Sequence, residues 1–357
     1  MKLFTAGPVA CRPEVLEVMG RQMFSHRSKE YKEIHKQTVE RLAKFVETKG
    51  QVFLFPSTSS GAMEACVRNC VEKKMLACIN GDFGKRFAKI GETNGRIVEK
   101  LESKLGDPTM PEELDEKLKQ VPDVEAVSII YNETSMGLMN SIPELAEVVK
   151  KHGKLLFVDA VSAMGGVDVK VDEWGIDVCF ASSQKCFGIP PGLTMVAVSD
   201  RAMKVSEGMK NKGWYFDFKV FEKYQKEQSS TPMTSVIPQV MALNKELEII
   251  ENEGGKERRF ELYRNRMNRI INGIKKLGLS LYPKTGYESV TIACVNAPQN
   301  ISGLKIYEEM RKKGFELAKG YGDLKERTFR IGNMGYITMK DIDEMLAALE
   351  NVLKTSS

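Results

Sequence analysis

Two ionisable residues stand where apolar runs of the chain stop. Phe157-Val158-Asp159-Ala160-Val161-Ser162 meets a carboxylate at its end, and Ala181-Ser182-Ser183-Gln184-Lys185 reaches an amine 26 positions after that aspartate. If the two runs are neighbouring parallel strands, their carboxyl ends share the crevice where α/β sheets hold small molecules. A carboxylate and an amine would then converge on one ligand. Each residue alone has a simpler reading, Asp159 as a helix cap and Lys185 as a surface loop residue. A third feature changes the balance. The loop Ser57-Thr58-Ser59-Ser60-Gly61 leads into apolar positions Met63, Cys66, Val67, Cys70 and Val71 at helical spacing, with Glu64, Arg68 and Asn69 on a wetter face. Hydroxyls and unpaired N–H groups at a helix N-terminus favour a phosphate dianion. One hydroxyl suffices for a cap, and here four come in a row. Further on, Asn80-Gly81-Asp82-Phe83-Gly84 sets an aromatic ring in a glycine-flanked loop, where Phe83 serves either as a loop anchor or as a ring lying flat on a planar ligand.

Positioning these residues requires an α/β sheet. Apolar runs at 52–55, 75–79, 126–131, 155–158, 177–182 and 193–198 alternate with amphipathic segments, the rhythm of a mostly parallel sheet. From Arg201 to Pro238 the chain mixes aromatics with polar residues and reads as an irregular connector carrying functional loops. A helix near Val236–Glu253, a charged periodic stretch from Lys256 to Leu277, a strand at 290–295 and a final helix at 340–354 predict a smaller C-terminal α/β lobe.

Composition removes several function classes. The 357 residues are 42% hydrophobic and 28% charged, enough to build a large core and a small one. The 53 basic residues are interleaved with 48 acidic ones for a net charge of +5, so no nucleic-acid partner is expected. Seven cysteines occur without a CxxC pair, and Cys66 and Cys70 fall on the apolar side of a helix, which fits a reduced, cytoplasmic protein without disulfides or a metal site. Neither a signal core nor an apolar run of about 20 residues is present, so no membrane association is expected.

Taken together, the motifs resemble the class V aminotransferases, close to the alanine–glyoxylate, serine–pyruvate and 2-aminoethylphosphonate aminotransferase group. The resemblance covers nearly the whole chain. Gly7-Pro8 is similar to the family's opening, Ser57–Ala65 to its phosphate loop, and Asn132-Glu133-Thr134-Ser135-Met136-Gly137 to its E-[ST]-S-x-G loop. Asp159-Ala160-Val161 followed by Gly165-Gly166, Ser183-Gln184-Lys185 and Phe329-Arg330-Ile331-Gly332 resemble its cofactor core and its carboxylate-binding arginine. The resemblance implies a pyridoxal 5′-phosphate (PLP) enzyme of fold type I. Its expected layout is an N-terminal segment at 1–20, a large domain with a mostly parallel sheet at 21–250 and a small C-terminal α/β domain at 251–357.

By the same resemblance, Lys185 is the catalytic Schiff-base lysine and Asp159 the partner of the pyridine nitrogen. Thr58, Ser59, Ser60 and Gln184 become phosphate-pocket residues, Phe83 the stacking ring, and Thr134 and Val161 further cofactor contacts. Thr231 would reach the phosphate from the second subunit of a homodimer with shared active sites. Arg330 would grip the substrate carboxylate through a planar two-point contact. Two positions depart from the pattern: Thr58-Ser59-Ser60 replaces the usual Ser-Gly-Thr or Ser-Gly-His, and Gln228 stands where a tyrosine often precedes the threonine.

The implied reaction moves an amino group from a small amino acid, alanine or serine, to glyoxylate or pyruvate. Ser25-His26-Arg27-Ser28-Lys29-Glu30, however, resembles the HRSxEF segment of phosphoserine aminotransferases, in which His and Arg meet the substrate phosphate. Phosphoserine is therefore the alternative donor, with Arg27 as its candidate contact, and 2-aminoethylphosphonate a more distant one. A desulfurase would need a cysteine ahead of the carboxylate arginine, and 317–329 contains none. A catalytically silent scaffold of the same fold is the rival from another class.

Overall fold

The computed structural model describes residues 1–355. Its seven-stranded sheet runs, from edge to edge, Gln51–Phe55, Thr194–Val198, Val178–Ser182, Leu155–Asp159, Ala126–Ile130, Lys74–Ile79 and Ile97–Glu102. Thr194–Val198 is antiparallel to both of its neighbours, and the other strands run in one direction. Both faces are covered, and the two-residue period of a strand sorts the side chains between them. Val52, Leu54, Leu156, Val158, Cys179 and Ala181 enter one apolar cluster, while Phe53, Phe55, Phe157, Val178 and Phe180 enter the other. This two-sided burial explains why these strands read as continuous apolar runs.

The edge strand Ile97–Glu102 had no such run. Its IVEKLE sequence keeps charges on the solvated edge, where Lys100 pairs with Glu92 and Glu99 with Lys74 and Lys117. The stretch expected to be an irregular connector contains two helices, Asp200–Gly208 and Phe218–Gln228. In the second, Phe218 and Phe221 point one way and pack on Phe53 and Phe55, so tertiary contact stabilises a helix whose local pattern is mostly polar.

A three-stranded antiparallel sheet, ordered Ile292–Asn296, Thr328–Gly332, Ala318–Lys319, packs with helices Gly303–Lys312 and Met339–Thr355 around a separate apolar cluster. The long helix Gly255–Lys276 belongs to both regions: Phe260 sits in the large cluster, Met267, Ile270 and Ile274 in the small one. The N-terminal residues also join the C-terminal cluster. Lys2–Leu3 pairs in parallel with Phe315–Glu316, Phe4 is buried, and Gly332 N donates to Phe4 O at 2.7 Å. Among the described residues no helix is long and apolar enough to cross a membrane.

Candidate active site

Five loops leave the carboxyl ends of the co-directional strands on the same side of the sheet. They follow Phe55, Ile79, Ile130, Asp159 and Ser182, and they carry the residues singled out above. Asp159 is the last residue of its strand and is 4% exposed. Val161 N donates to its Oδ1 at 2.9 Å, leaving Oδ2 without a donor among the described residues. Burial raises the Asp159 carboxyl to about 7; the Val161 N–H and the charges of Lys185 and Arg86 pull it down, and Glu133 pushes it up. Lys185 is buried too. Desolvation, then the nearby Arg330, lowers its amine to about 8, with Asp159 acting against the shift.

The N-terminal segment completes this part of the site. Lys185 Nζ donates to Ala6 O, and the side-chain stem lies against Gly7. A Cβ on Gly7 would come within 2.7 Å of Lys185 Cδ, and Gly7 has φ +101°. Both facts demand glycine at this position.

The hydroxyl loop opens the helix Ser59–Cys70. Thr58 is its N-cap residue yet makes no side-chain cap bond, and the loop is held instead by Thr194 Oγ1 donating to Ser57 O at 2.9 Å. Ser57 Oγ and Gln184 Oε1 are buried without partners. A helix N-terminus with spare N–H groups and uncommitted hydroxyls suits a phosphate, and a buried carboxylate with one free oxygen suits a cationic ring N–H. The residues present therefore fit PLP.

Arg330 lies on the central strand of the small sheet and is 7% exposed. Nε donates to Lys319 O at 2.9 Å and Nη1 to Thr134 O at 2.8 Å, while the Tyr321 ring sits 5.4 Å from the guanidinium carbon. Two main-chain carbonyls thus fix the guanidinium plane. No carboxylate pairs with Arg330 among the described residues. Thr134 ties this arginine to the aspartate loop, because its hydroxyl shares a 2.6 Å hydrogen bond with Ser162 Oγ.

Phe83 opens the helix Asp82–Thr93 beside Tyr321, with ring centroids 6.1 Å apart. Arg86 lies 4.8 Å from the Phe83 centroid and its Nη2 is 3.4 Å from Tyr321 Oη. Sequence reasoning assigned no role to Arg86, Tyr321 or Glu133. Glu133 is fully buried and accepts from Phe83 N at 3.1 Å, Gly84 N at 3.3 Å and Ser135 N at 3.1 Å. It stood inside a quoted motif, but beside the local Ser135 its partners are the backbone N–H groups of Phe83 and Gly84, far upstream in the chain. Tyr321 carried no local signal at all.

Arg27 and Thr231 lie apart from this cluster in the chain. Arg27 donates to Thr231 O at 2.8 Å, Pro232 O at 3.2 Å and Ser230 Oγ at 3.2 Å, and it stands over the Tyr224 ring. Thr231 Oγ1 donates to Met233 O at 2.7 Å within its own loop.

Comparison with known proteins places the chain in a family. The sequence profile of the family described as aminotransferase class-V matches residues 14–345. An uncharacterised aminotransferase of Methanocaldococcus jannaschii is 34% identical over 99% of this chain and 92% of its own. The fold is similar to the ureidoglycine–glyoxylate aminotransferase of Bacillus subtilis, with TM-score 0.93 and 30% identity over 99% of this chain and 93% of that one. It is also similar to the alanine–glyoxylate aminotransferase of a Nostoc species, with TM-score 0.94 and 26% identity over 98% and 94% of the two chains. With a buried lysine, a buried aspartate and a hydroxyl-rich loop together at the carboxyl ends of the sheet strands, this chain belongs to the class V aminotransferases and is a PLP-dependent transaminase of fold type I.

Proposed function

We propose that this enzyme moves an amino group from alanine or serine to glyoxylate or pyruvate. The observation that carries the reading is Arg330: its plane is set by two carbonyls, its remaining N–H groups are free for an α-carboxylate, and Tyr321 and Phe83 wall the space beside it. The names of two structural neighbours share glyoxylate as a substrate, which supports that acceptor.

Bound PLP supplies the electron sink that makes an α-proton of the substrate acidic. Lys185 Nζ takes that proton and returns it, and an amine lowered to about 8 is uncharged often enough near neutral pH to do so. Asp159 would keep the nitrogen of the cofactor ring protonated. Thr58, Ser59, Ser60 and Gln184 would hold its phosphate, Phe83 would stack on the ring, and Thr134 and Val161 would line the pocket. Arg330 orients the substrate so that its α-hydrogen faces Lys185.

The phosphoserine reading needs Arg27 at a distal phosphate. In this chain that guanidinium already serves the 228–232 loop, which favours the small donors. Thr231 stands on the 228–232 loop that Arg27 braces, and in the proposed homodimer with shared active sites this loop would bring it to the cofactor phosphate of the second subunit. Sedimentation is expected to show an active dimer. Separate apolar clusters support a large domain over 21–250 and a small one over 251–357, and seven free cysteines support a cytoplasmic location.

The test is a panel of donors followed as half-reactions. Alanine or serine is expected to exceed phosphoserine in kcat/KM by at least about tenfold, with Lys185→Ala inactive toward all. Phosphoserine leading, with Arg27→Ala erasing its advantage, would replace this reading with the alternative. Equally poor rates for every donor would defeat both.

A further inference from the structure

The wall that Phe83 and Tyr321 form beside the site is tied together by a residue to which the steps of amino transfer give no task. Arg86 follows Phe83 by one turn on the helix Asp82–Thr93 and is exposed. Side chains three apart on a helix share a face, and the Arg86 guanidinium carbon stands 4.8 Å from the Phe83 ring centroid. Arg86 Nη2 also donates to Tyr321 Oη at 3.4 Å. An arginine on a solvated helix face would ordinarily pair with an acid one turn away. Asp82 occupies that position, yet Arg86 has no ion pair among the described residues.

Tyr321 belongs to the small sheet's side of the site. Its ring centroid lies 5.4 Å from the guanidinium carbon of Arg330, and Lys319, two residues before it, offers the carbonyl that accepts Arg330 Nε at 2.9 Å. Contacts therefore run unbroken from Arg86 to Phe83 and Tyr321, and from Tyr321 and its loop to Arg330. The charge of Arg86 is felt within the pocket as well. Burial is the main influence on the Asp159 carboxyl and on the Lys185 amine, and Arg86 is among the charges that pull each of them down.

We propose that Arg86 is a positioning residue of this transaminase: its guanidinium braces Phe83 and Tyr321 together, so that the stacking ring and the carboxylate-binding Arg330 keep one spacing. A cation held over one face of the Phe83 ring leaves the other face to the cofactor, and the Tyr321 hydroxyl carries the brace across to the small sheet. The inference rests on the reading of Phe83 as the stacking ring and of Arg330 as the carboxylate site, and it is independent of which amino donor the enzyme uses.

Arg86→Met removes the charge at an exposed position and leaves the core intact. A cation over an exposed aromatic ring contributes a factor of about two to five. With the Tyr321 hydrogen bond lost as well, apoenzyme titrated with PLP is expected to bind it about three- to tenfold more weakly. KM for the leading donor should rise by a similar factor while kcat changes by less than about twofold. Lys85→Met, which removes the same charge from the neighbouring exposed position, is expected to leave both unchanged. Tyr321→Phe alone should raise KM about two- to threefold, and added to Arg86→Met it should raise KM no further. No effect of Tyr321→Phe, or a double variant whose KM rises by the product of the two single effects, would overturn the brace. Unchanged PLP affinity in Arg86→Met while Phe83→Leu weakens it would overturn the proposal and leave the stacking reading standing. Unchanged affinity in both variants would overturn the two together.

Discussion

Asp159 and Lys185 are pushed toward each other's range by the same cause. Burial penalises whichever form carries charge, raising the acid to about 7 and lowering the base to about 8. Without a cationic ring opposite it, the Asp159 carboxylate destabilises the apoprotein. Its folded pKa lies above the unfolded value of 3.8, so the folded state binds more protons between the two, and stability falls as pH rises through about 7. Asp159→Asn is therefore expected to stabilise the apoprotein at pH 8 by about 1–3 kcal/mol relative to wild type, with little gain at pH 4. The same variant should lose at least about tenfold in amino-transfer rate. Urea unfolding of both apoproteins at the two pH values checks the first half, and an equal difference at each pH would contradict the burial account.

At the scale of elements, the helix Asp82–Thr93 begins at Gly81, which offers no side-chain cap. Glu133 takes that role from another strand's loop, accepting the N–H groups of Phe83 and Gly84 where the helix dipole favours a negative group. Gly81 has to be glycine because a Cβ there would collide with the Glu133 side chain. Glu133→Gln keeps the size and removes the charge. The expected result is a stability loss of about 1–3 kcal/mol and a several-fold weaker PLP affinity, since the Phe83 ring loses its anchor. Titration of apoenzyme with PLP, followed by absorbance, measures the second effect. Unchanged affinity alongside lower stability would make Glu133 a cap and nothing more.

Across the whole molecule, the first eight residues join the C-terminal cluster to Lys185. Phe4 is buried in that cluster, and two residues later Ala6 O receives Lys185 Nζ. Phe4→Ala is expected to cost about 3–5 kcal/mol by urea denaturation and to lower activity as well, because the segment that meets Lys185 loses its anchor. A full stability loss with unaltered kcat in the surviving fold would separate the two roles. Distant from the site, His35 is 1% exposed against Tyr31, and burial lowers its imidazole to about 4. The unfolded chain binds the extra proton between about 4 and 6.5, so this residue's contribution to stability is present above 6.5 and lost as pH falls through 4. His35→Phe should flatten that part of the stability-pH curve by up to about 3 kcal/mol, as followed by Tm between pH 4 and 7.

The seven-stranded sheet was legible because both faces are buried: strands such as Leu155–Asp159 and Val178–Ser182 are apolar up to their last residue, and their ends announce themselves where the polar residues begin. Asp159, Lys185 and the hydroxyl loop stood out for the same local reason, since each sits where a strand ends or a helix begins, whereas Arg330 lies inside the strand Thr328–Gly332 and was marked only by its motif. The charged edge strand Ile97–Glu102 and the helix Phe218–Gln228 were not, because what stabilises them is a neighbouring strand in one case and Phe53 with Phe55 in the other. Tertiary structure alone placed Glu133 on the Phe83 loop, Tyr321 between Phe83 and Arg330, Ala6 on Lys185, and Arg27 on the 228–232 loop. These are pairings between groups as far apart in the chain as Phe83 and Tyr321, set by where strand ends converge, and no residue type or spacing within a single segment encodes which distant group a side chain will meet.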